Sequence, residues 1–153
     1  MNIKRIVIGI AALVILGIGY YALSPLFIHV RVDEALPQTG QALPVPIVEP
    51  EASVAAAVVG TTGHPASGTA RIVKADGKTY LRYENFKTIN GPDIYVYLAK
   101  DLGAKEYVSL GKVRATEGNI NYEIPSDVTI SDYSYALTWC KQFGVLFNSA
   151  KLN

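Results

Sequence analysis

The chain of 153 residues has room for one ordinary domain and an appendage, and half of its residues are hydrophobic. The formal net charge is +1, and after Gly60 the charged residues are scattered singly, without the basic stripe that a phosphate backbone requires. Nucleic acid is therefore not expected as a partner. Cys140 is the single cysteine, which excludes an intrachain disulfide and a cysteine-rich zinc site.

The N-terminal segment predicts a membrane anchor. Lys4 and Arg5 precede an uncharged apolar run, Ile6–Leu23, and further apolar residues prolong it, so that the predicted span is 6–28. At about 1.5 Å per helical residue, this length matches a hydrocarbon core of about 30 Å. The two cations before the span predict that residues 1–5 lie in the cytoplasm. We therefore expect a single-pass protein of the cell membrane with its domain outside the cytoplasm.

A cleaved secretory signal is the alternative to a retained anchor. Its apolar core would be shorter, and a site with small residues should follow it. Here Ala22-Leu23-Ser24 is followed by Pro25, which makes a poor cleavage site. The sequence favours the anchor, and either interpretation predicts an exported domain.

Residues 29–53 are interpreted as a proline-rich linker. Pro37, Pro44, Pro46 and Pro50 favour an extended, semi-rigid spacer over a helix. Such a spacer would lift the following domain off the bilayer surface.

The remaining residues, 54–153, predict an all-β domain, an antiparallel sandwich or barrel of about seven or eight short strands. Short β-type runs alternate with turn residues: Asp76-Gly77 is a hairpin signal, and Glu117-Gly118-Asn119 is predicted as a turn between two strands. No convincing helical period follows residue 60, and the strand order is not readable from the pattern. The predicted strands are Ala52–Val59, Thr69–Lys74, Thr79–Phe86, Ile94–Ala99, Lys112–Ala115, Ile120–Ile124, Tyr135–Lys141 and Gly144–Ala150.

The histidine content limits the chemistry of the exported domain, in which His64 is the single histidine. A catalytic triad could draw on His64, but no motif places a serine beside it, and a turn-capping role is the simpler interpretation. Blue-copper and c-type haem motifs are both missing, because they need more cysteine, histidine or methionine ligands. No metal site is predicted, and no cofactor motif is visible.

Cys140 is the residue that most suggests chemistry. An unpaired cysteine in an oxidising compartment is unusual, and Trp139 and Lys141 flank it on a predicted strand. Lys141 would favour a reactive thiolate if the two side chains faced the same way, although neighbouring strand residues point to opposite faces. The alternative is that Cys140 is a small buried hydrophobic residue.

The exported domain is also rich in tyrosine, together with Trp139, Phe86, Phe143 and Phe147. Aromatic residues at this density usually pack across neighbouring strands. They could also carry oxidising equivalents or form a face that binds sugar or protein.

Five motifs follow one another along the predicted β domain. They are His64-Pro65-Ala66-Ser67-Gly68-Thr69-Ala70, Leu81-Arg82-Tyr83-Glu84-Asn85-Phe86, Asn90-Gly91-Pro92-Asp93-Ile94-Tyr95-Val96-Tyr97-Leu98, Gly118-Asn119-Ile120-Asn121-Tyr122-Glu123-Ile124-Pro125 and Trp139-Cys140-Lys141-Gln142-Phe143. Together they resemble the DM-thirteen domain, also called the electron-transfer DM domain, which occurs in Skeletor-type proteins. The resemblance covers roughly residues 55–152 and implies an all-β fold and a redox or electron-transfer role. It also implies that Cys140 is the suspected redox-active group.

Two functional hypotheses follow. The first is a membrane-tethered redox module in which Cys140 cycles between thiolate and sulfenic acid or a mixed disulfide. Trp139, Lys141, His64 and nearby tyrosines would shape its site, and a separate redox partner protein would be needed. The second is a non-catalytic binding or adhesion module that displays a tyrosine-rich surface to an envelope protein or a glycan. A hydrolase or transferase is less favoured, for want of a nucleophile–base pair.

Overall fold

The computed structural model describes residues 3–24, 29–38 and 51–153. In these ranges the helix α1 precedes ten β-strands, and a short 3-10 helix, Ile130–Asp132, lies between the eighth and ninth strands. The bounds are α1 Ile3–Leu23, β1 Arg31–Asp33, β2 Glu51–Ala52, β3 Ala56–Gly60, β4 Ala66–Ala75, β5 Lys78–Thr88, β6 Ile94–Ala99, β7 Tyr107–Lys112, β8 Glu117–Ile124, β9 Tyr135–Cys140 and β10 Val145–Lys151.

The helix α1 has the length and composition of a membrane span. Its 21 residues extend over about 32 Å at 1.5 Å per residue. Its large apolar side chains are exposed instead of packing against the rest of the chain. The helix is thus long and apolar enough to cross a bilayer, a property that a signal sequence shares.

The strands form one curled sheet, a half-barrel, in the order β1-β8-β5-β4-β3-β10-β9-β6-β7, with β2 beside β4. All neighbouring pairs are antiparallel except β1 and β8, which are parallel. The all-β prediction is confirmed, with more strands than expected. The predicted hairpin is also present, since Asp76 and Gly77 join β4 to β5 with φ angles of 51° and 69°.

Side chains alternate across this sheet as the strand period requires. In β6, Ile94, Val96 and Leu98 point into the half-barrel, while Tyr95 and Tyr97 point to its outer side. The burial of apolar side chains inside the half-barrel provides most of the driving force for folding. Its main interior cluster consists of Val58, Ala70, Ile72, Leu81, Tyr83, Phe86, Val96, Leu98, Ala115, Ile120, Tyr122, Ile124, Ala136 and Ala150.

Two local predictions differ from the structure. The predicted strand Lys112–Ala115 begins where β7 ends, and the predicted turn around Gly118 lies inside β8. Gly118 has a φ of 110°, and a Cβ atom there would overlap the backbone oxygen of Val32. The glycine therefore lets β1 approach β8 closely, and the signal that resembled a turn marks a strand contact.

The first part of the predicted linker also belongs to the sheet. After β1, the Glu34 carboxylate accepts hydrogen bonds from the Arg114 guanidinium (2.7 and 3.3 Å) and from the backbone amide of Asn121 (2.7 Å). Arg82, only 6% exposed, donates to the backbone oxygens of Glu34 and Ala35. Residues 30–35 are thus fixed to the domain instead of forming part of a free spacer, while Pro44, Pro46 and Pro50 lie outside the described residues.

Candidate functional site

One end of the half-barrel gathers residues from three of the sequence motifs, and we call it the Cys140 end. Here β9 ends at Cys140, which pairs with Val145 at the start of β10 and with Ile94 at the start of β6. On the other side of β10, Gly60 at the end of β3 pairs with Asn148. The loops 61–65, 89–93 and 141–144 therefore emerge together.

The thiol of Cys140 lies in a closed apolar cluster, which we call the sulfur cluster. Cys140 is 0% exposed and packs with buried Ile94 and Phe147, and the half-buried Ile89 and Val113 complete the cluster. The sulfur is therefore not reachable from solvent in this conformation. This arrangement is typical of a packed cysteine, because reactive cysteines are usually partly exposed in polar surroundings.

His64 is connected to the sulfur cluster through Phe147. The imidazole stacks on the Phe147 ring, with the ring centroids 4.1 Å apart and an interplanar angle of 27°. Its Nδ1 lies 3.1 Å from the Thr61 hydroxyl, and the His64 amide donates to the Thr61 backbone oxygen. His64 thus closes a turn, as the simpler interpretation predicted, and it also covers one face of the cluster.

Gly91 closes the same cluster from another side. A Cβ atom at this position would lie 2.9 Å from Cζ of Phe147 and 3.0 Å from Cγ2 of Ile94. Only glycine allows the loop to pack this closely on the aromatic ring. The motif around Gly91 is therefore explained by contact with Phe147.

Trp139 and Lys141 lie on the opposite, outer face of the sheet. Trp139 pairs with Tyr95 across β9 and β6, and Lys141 Nζ lies 5.4 Å from the centroid of the Tyr95 ring. The structure thus brings Cys140 and His64 to one cluster and separates both from Trp139 and Lys141. The cause is the alternation of side chains along β9.

The outer face carries its own aromatic group, which we call the outer aromatic cluster. Tyr97 stacks on Tyr107 with ring centroids 4.1 Å apart, and Tyr95 lies 6.2 Å from Tyr97. Burial, reinforced by the neighbouring Tyr107, raises the pKa of Tyr97 to about 12. Tyr107 is 44% exposed, so one edge of this cluster reaches solvent. Trp139, Tyr135 and Leu146 pack beside these rings.

Sequence reasoning missed a group of buried polar atoms inside the half-barrel. The hydroxyls of Tyr83 and Thr138 and the side-chain oxygen of Asn148 make no aligned hydrogen bond to the described residues. Burial and the nearby Tyr122 raise the pKa of Tyr83 well above its usual value, and the Thr138 hydroxyl acts in the opposite direction. The Asn148 amide donates to the Thr88 hydroxyl. No sequence signal marks this group, because its members come from three strands that are distant in sequence, β5, β9 and β10.

Among the described residues, no three histidine, cysteine, aspartate or glutamate side chains come together as metal ligands would.

The comparisons with known proteins give one match. The model of the family described as "Electron transfer DM13" matches residues 59–152, a segment that contains the whole sulfur cluster and the whole outer aromatic cluster. Neither the curated proteins nor the solved structures gave a match. Because the family match covers more than half of the chain, the protein belongs to the electron transfer DM13 family.

Proposed function

We propose that the protein is a membrane-anchored electron-transfer domain that lies outside the cytoplasm and uses Cys140 as its redox group. The observation that carries the proposal is the family match over residues 59–152. The exposed apolar helix α1 supports the anchor, and Lys4 and Arg5 in its first turn support a cytoplasmic N-terminus.

The burial of Cys140 determines how such a group would work. Cys140 is the last residue of β9, and the turn 141–144 that follows it carries Phe143, 64% exposed, and Gly144 at a φ of 63°. Hairpin tips open at lower free energy than the centre of a sheet. The thiol is therefore shielded in the closed state by the other members of the sulfur cluster, and local opening of the Cys140 end, where β9 meets this turn, exposes it.

The redox step needs a second protein. The chain has no other cysteine with which Cys140 could form an internal disulfide. In the open state the Cys140 thiolate attacks a disulfide of the partner, forming a mixed disulfide and releasing one partner thiolate. A thiolate of a dithiol donor protein then attacks the Cys140 sulfur, which releases the partner as a dithiol and leaves Cys140 joined to the donor. The second thiolate of the donor attacks the donor sulfur of this new disulfide, so that the donor leaves as a disulfide and Cys140 returns to the thiolate. Two electrons thus pass from the donor to the partner.

The test uses the full chain in its own membrane. Thiols are trapped by acid quenching and alkylation after an oxidising or a reducing treatment, and mass spectrometry reports the state of Cys140. We expect a reversibly oxidised or partner-linked Cys140, and loss of electron transfer in Cys140→Ala. The matched control is Tyr107→Phe, which leaves the sulfur cluster untouched. A Cys140 that remains a free thiol throughout, with a fully active Cys140→Ala, would refute the assignment.

A second candidate function is binding through the outer aromatic cluster. It is favoured by the exposed Tyr107 and by Lys112 and Lys141, whose Nζ atoms lie 5.8 and 5.4 Å from the Tyr95 ring centroid. Such a face suits an envelope protein or a glycan. If binding is the function, Tyr107→Ala weakens binding of the protein to envelope fractions, and Cys140→Ala leaves that binding unchanged. The reverse pattern would rule it out.

A further inference from the structure

We infer that the Cys140 end of the domain rests on the surface of the membrane that α1 spans, with Phe143 in the interfacial layer. The inference depends on the anchor in the proposed function and adds the orientation of the domain. It is independent of whether Cys140 is redox-active.

The first argument is the short connection between the helix and the sheet. The Val30 amide donates to the Thr116 hydroxyl (3.1 Å), so the chain is already fixed to the domain at residue 30. Val30 follows Ser24 by only six positions, and six residue steps of a fully extended chain reach about 22 Å. Positions 25–28 read Pro-Leu-Phe-Ile, so the apolar sequence continues almost to Val30. The domain therefore cannot stand far from the bilayer.

The second argument is the strand register, which shows which end is tethered. β1 starts beside the start of β8, where Arg31 pairs with Glu117, and Glu117 also pairs with Lys87 near the end of β5. From β5 the antiparallel pairings continue through β4, β3 and β10 to β9. At this end of the half-barrel β9 terminates at Cys140. The tether and the Cys140 end thus lie on the same side.

The third argument is the chemistry of the two ends. The turn at the Cys140 end presents Phe143, 64% exposed, two residues after Lys141, and Val145 is also exposed. An exposed aromatic ring near a cation suits the interface of a membrane with anionic lipids. The loops 89–93, 113–116 and 141–144 at this end carry one acidic residue, Asp93, against Arg114 and Lys141. The loops 76–77, 100–106 and 125–134 at the opposite end expose Leu102 and carry an acidic excess, with Lys100 and Lys105 against Asp76, Asp101, Glu106, Asp127 and Asp132. The charge distribution therefore favours the Cys140 end as the membrane-facing one.

This orientation selects the partner of the proposed function. The Cys140 end, at which the thiol is buried, would open at the membrane surface, where a freely diffusing protein has restricted access. The redox partner would then be held in or on the same membrane.

The experiment measures depth in the full chain reconstituted in vesicles of phosphatidylcholine and phosphatidylglycerol that contain a quencher-bearing lipid. In a Cys140→Ala background, a fluorophore is attached to Tyr21→Cys, Phe143→Cys or Asp76→Cys. We expect quenching at Tyr21 and at Phe143, and several-fold weaker quenching at Asp76. Equal quenching at the last two sites, or stronger quenching at Asp76, would overturn the orientation.

The label at Tyr21 separates the possible failures. Quenching there without quenching at Phe143 overturns the orientation and leaves the anchor intact. No quenching at any site refutes the anchor and the orientation together. A fluorophore attached to Gln142→Cys should be quenched several-fold less when Phe143→Ser is added. Equal quenching with and without Phe143→Ser would contradict insertion of Phe143. None of these readouts depends on electron transfer, so they fail independently of the redox assignment.

Discussion

The sulfur cluster and the outer aromatic cluster lie back to back on the same strands, yet they are built on different principles. The sulfur cluster is apolar and closed, with Cys140 at 0% exposure. The outer aromatic cluster carries hydroxyls, and Tyr107 is 44% exposed. Trp139 and Lys141, the chain neighbours of Cys140, belong to the outer face. Residues that are adjacent in sequence thus serve two separate sites, because a strand sends successive side chains to opposite faces.

The difference means that substitutions on the two faces should have unequal costs. In the sulfur cluster, a change of one side chain leaves a void or an overlap among buried neighbours. On the outer face, solvent and flexible side chains can compensate. Each prediction below tests this contrast, beginning with the largest effect.

The largest effect is expected from Phe147→Ala. Removing this ring eliminates the contacts with His64 and Cys140 and should lower the free energy of unfolding by about 3–5 kcal/mol. Tyr107→Ala, the matched change on the outer face, should cost about 1 kcal/mol. Urea denaturation of both variants provides the measurement. Equal losses would show that the two clusters do not differ in packing.

A smaller loss is expected from Cys140→Ser, which replaces a weakly polar sulfur by a hydroxyl in an apolar shell. The unsatisfied hydroxyl should cost about 2 kcal/mol. Cys140→Ala, which adds no polar group, should cost about 1 kcal/mol. Thermal denaturation of the two variants separates polarity from volume. A serine variant as stable as the wild type would indicate a hydrogen-bond partner near the sulfur.

Gly91→Ala should destabilise through overlap. The added Cβ meets Phe147 and Ile94 at about 3 Å, and the overpacking should cost about 1.5 kcal/mol. Gly103→Ala is the control, since its closest neighbour is the Asp101 carboxylate at the far end of a side chain. Chemical denaturation should show little change in the control. A neutral Gly91→Ala would mean that the loop around residue 91 can retreat from the ring.

The smallest effect concerns Tyr97 and appears only at alkaline pH. Its folded pKa of about 12 lies above the reference value of 10.0, so the folded state retains a proton that the unfolded state has lost. The associated stability is complete below pH 10 and is lost as the pH rises through 12. Between pH 10 and pH 12, the free energy of unfolding should fall less in Tyr97→Phe than in the wild type. At pH 7 the two proteins should have the same free energy of unfolding. Parallel stability curves across the window would contradict the buried state of this phenol.

Local sequence patterns predicted the elements that depend on local chemistry. The alternation in β6 and the turn residues Asp76 and Gly77 were sufficient to locate a strand and a hairpin. The short strand β1 could not be predicted, because three residues carry no pattern and its pairing depends on Gly118 leaving space for Val32. That long-range contact is visible only in the folded chain.

The candidate site was predictable only in part, for the same reason. The lone Cys140 was identified from its chemistry, and the separation of Lys141 from it was foreseen from the strand period. The stacking of His64 on Phe147 and the contact of Gly91 with that ring depend on strand pairings between distant segments. No spacing rule in the sequence encodes them.

The most direct test of the account is the rate at which a small thiol reagent labels Cys140 in the folded full chain as denaturant is added. Local opening of the Cys140 end predicts slow labelling whose rate hardly changes at low denaturant, because little surface is exposed in the opening. The Phe147→Ala variant should be labelled faster under the same conditions. If labelling instead follows global unfolding, with the same denaturant dependence, the sulfur is reached only when the domain is lost and the redox role of Cys140 is contradicted.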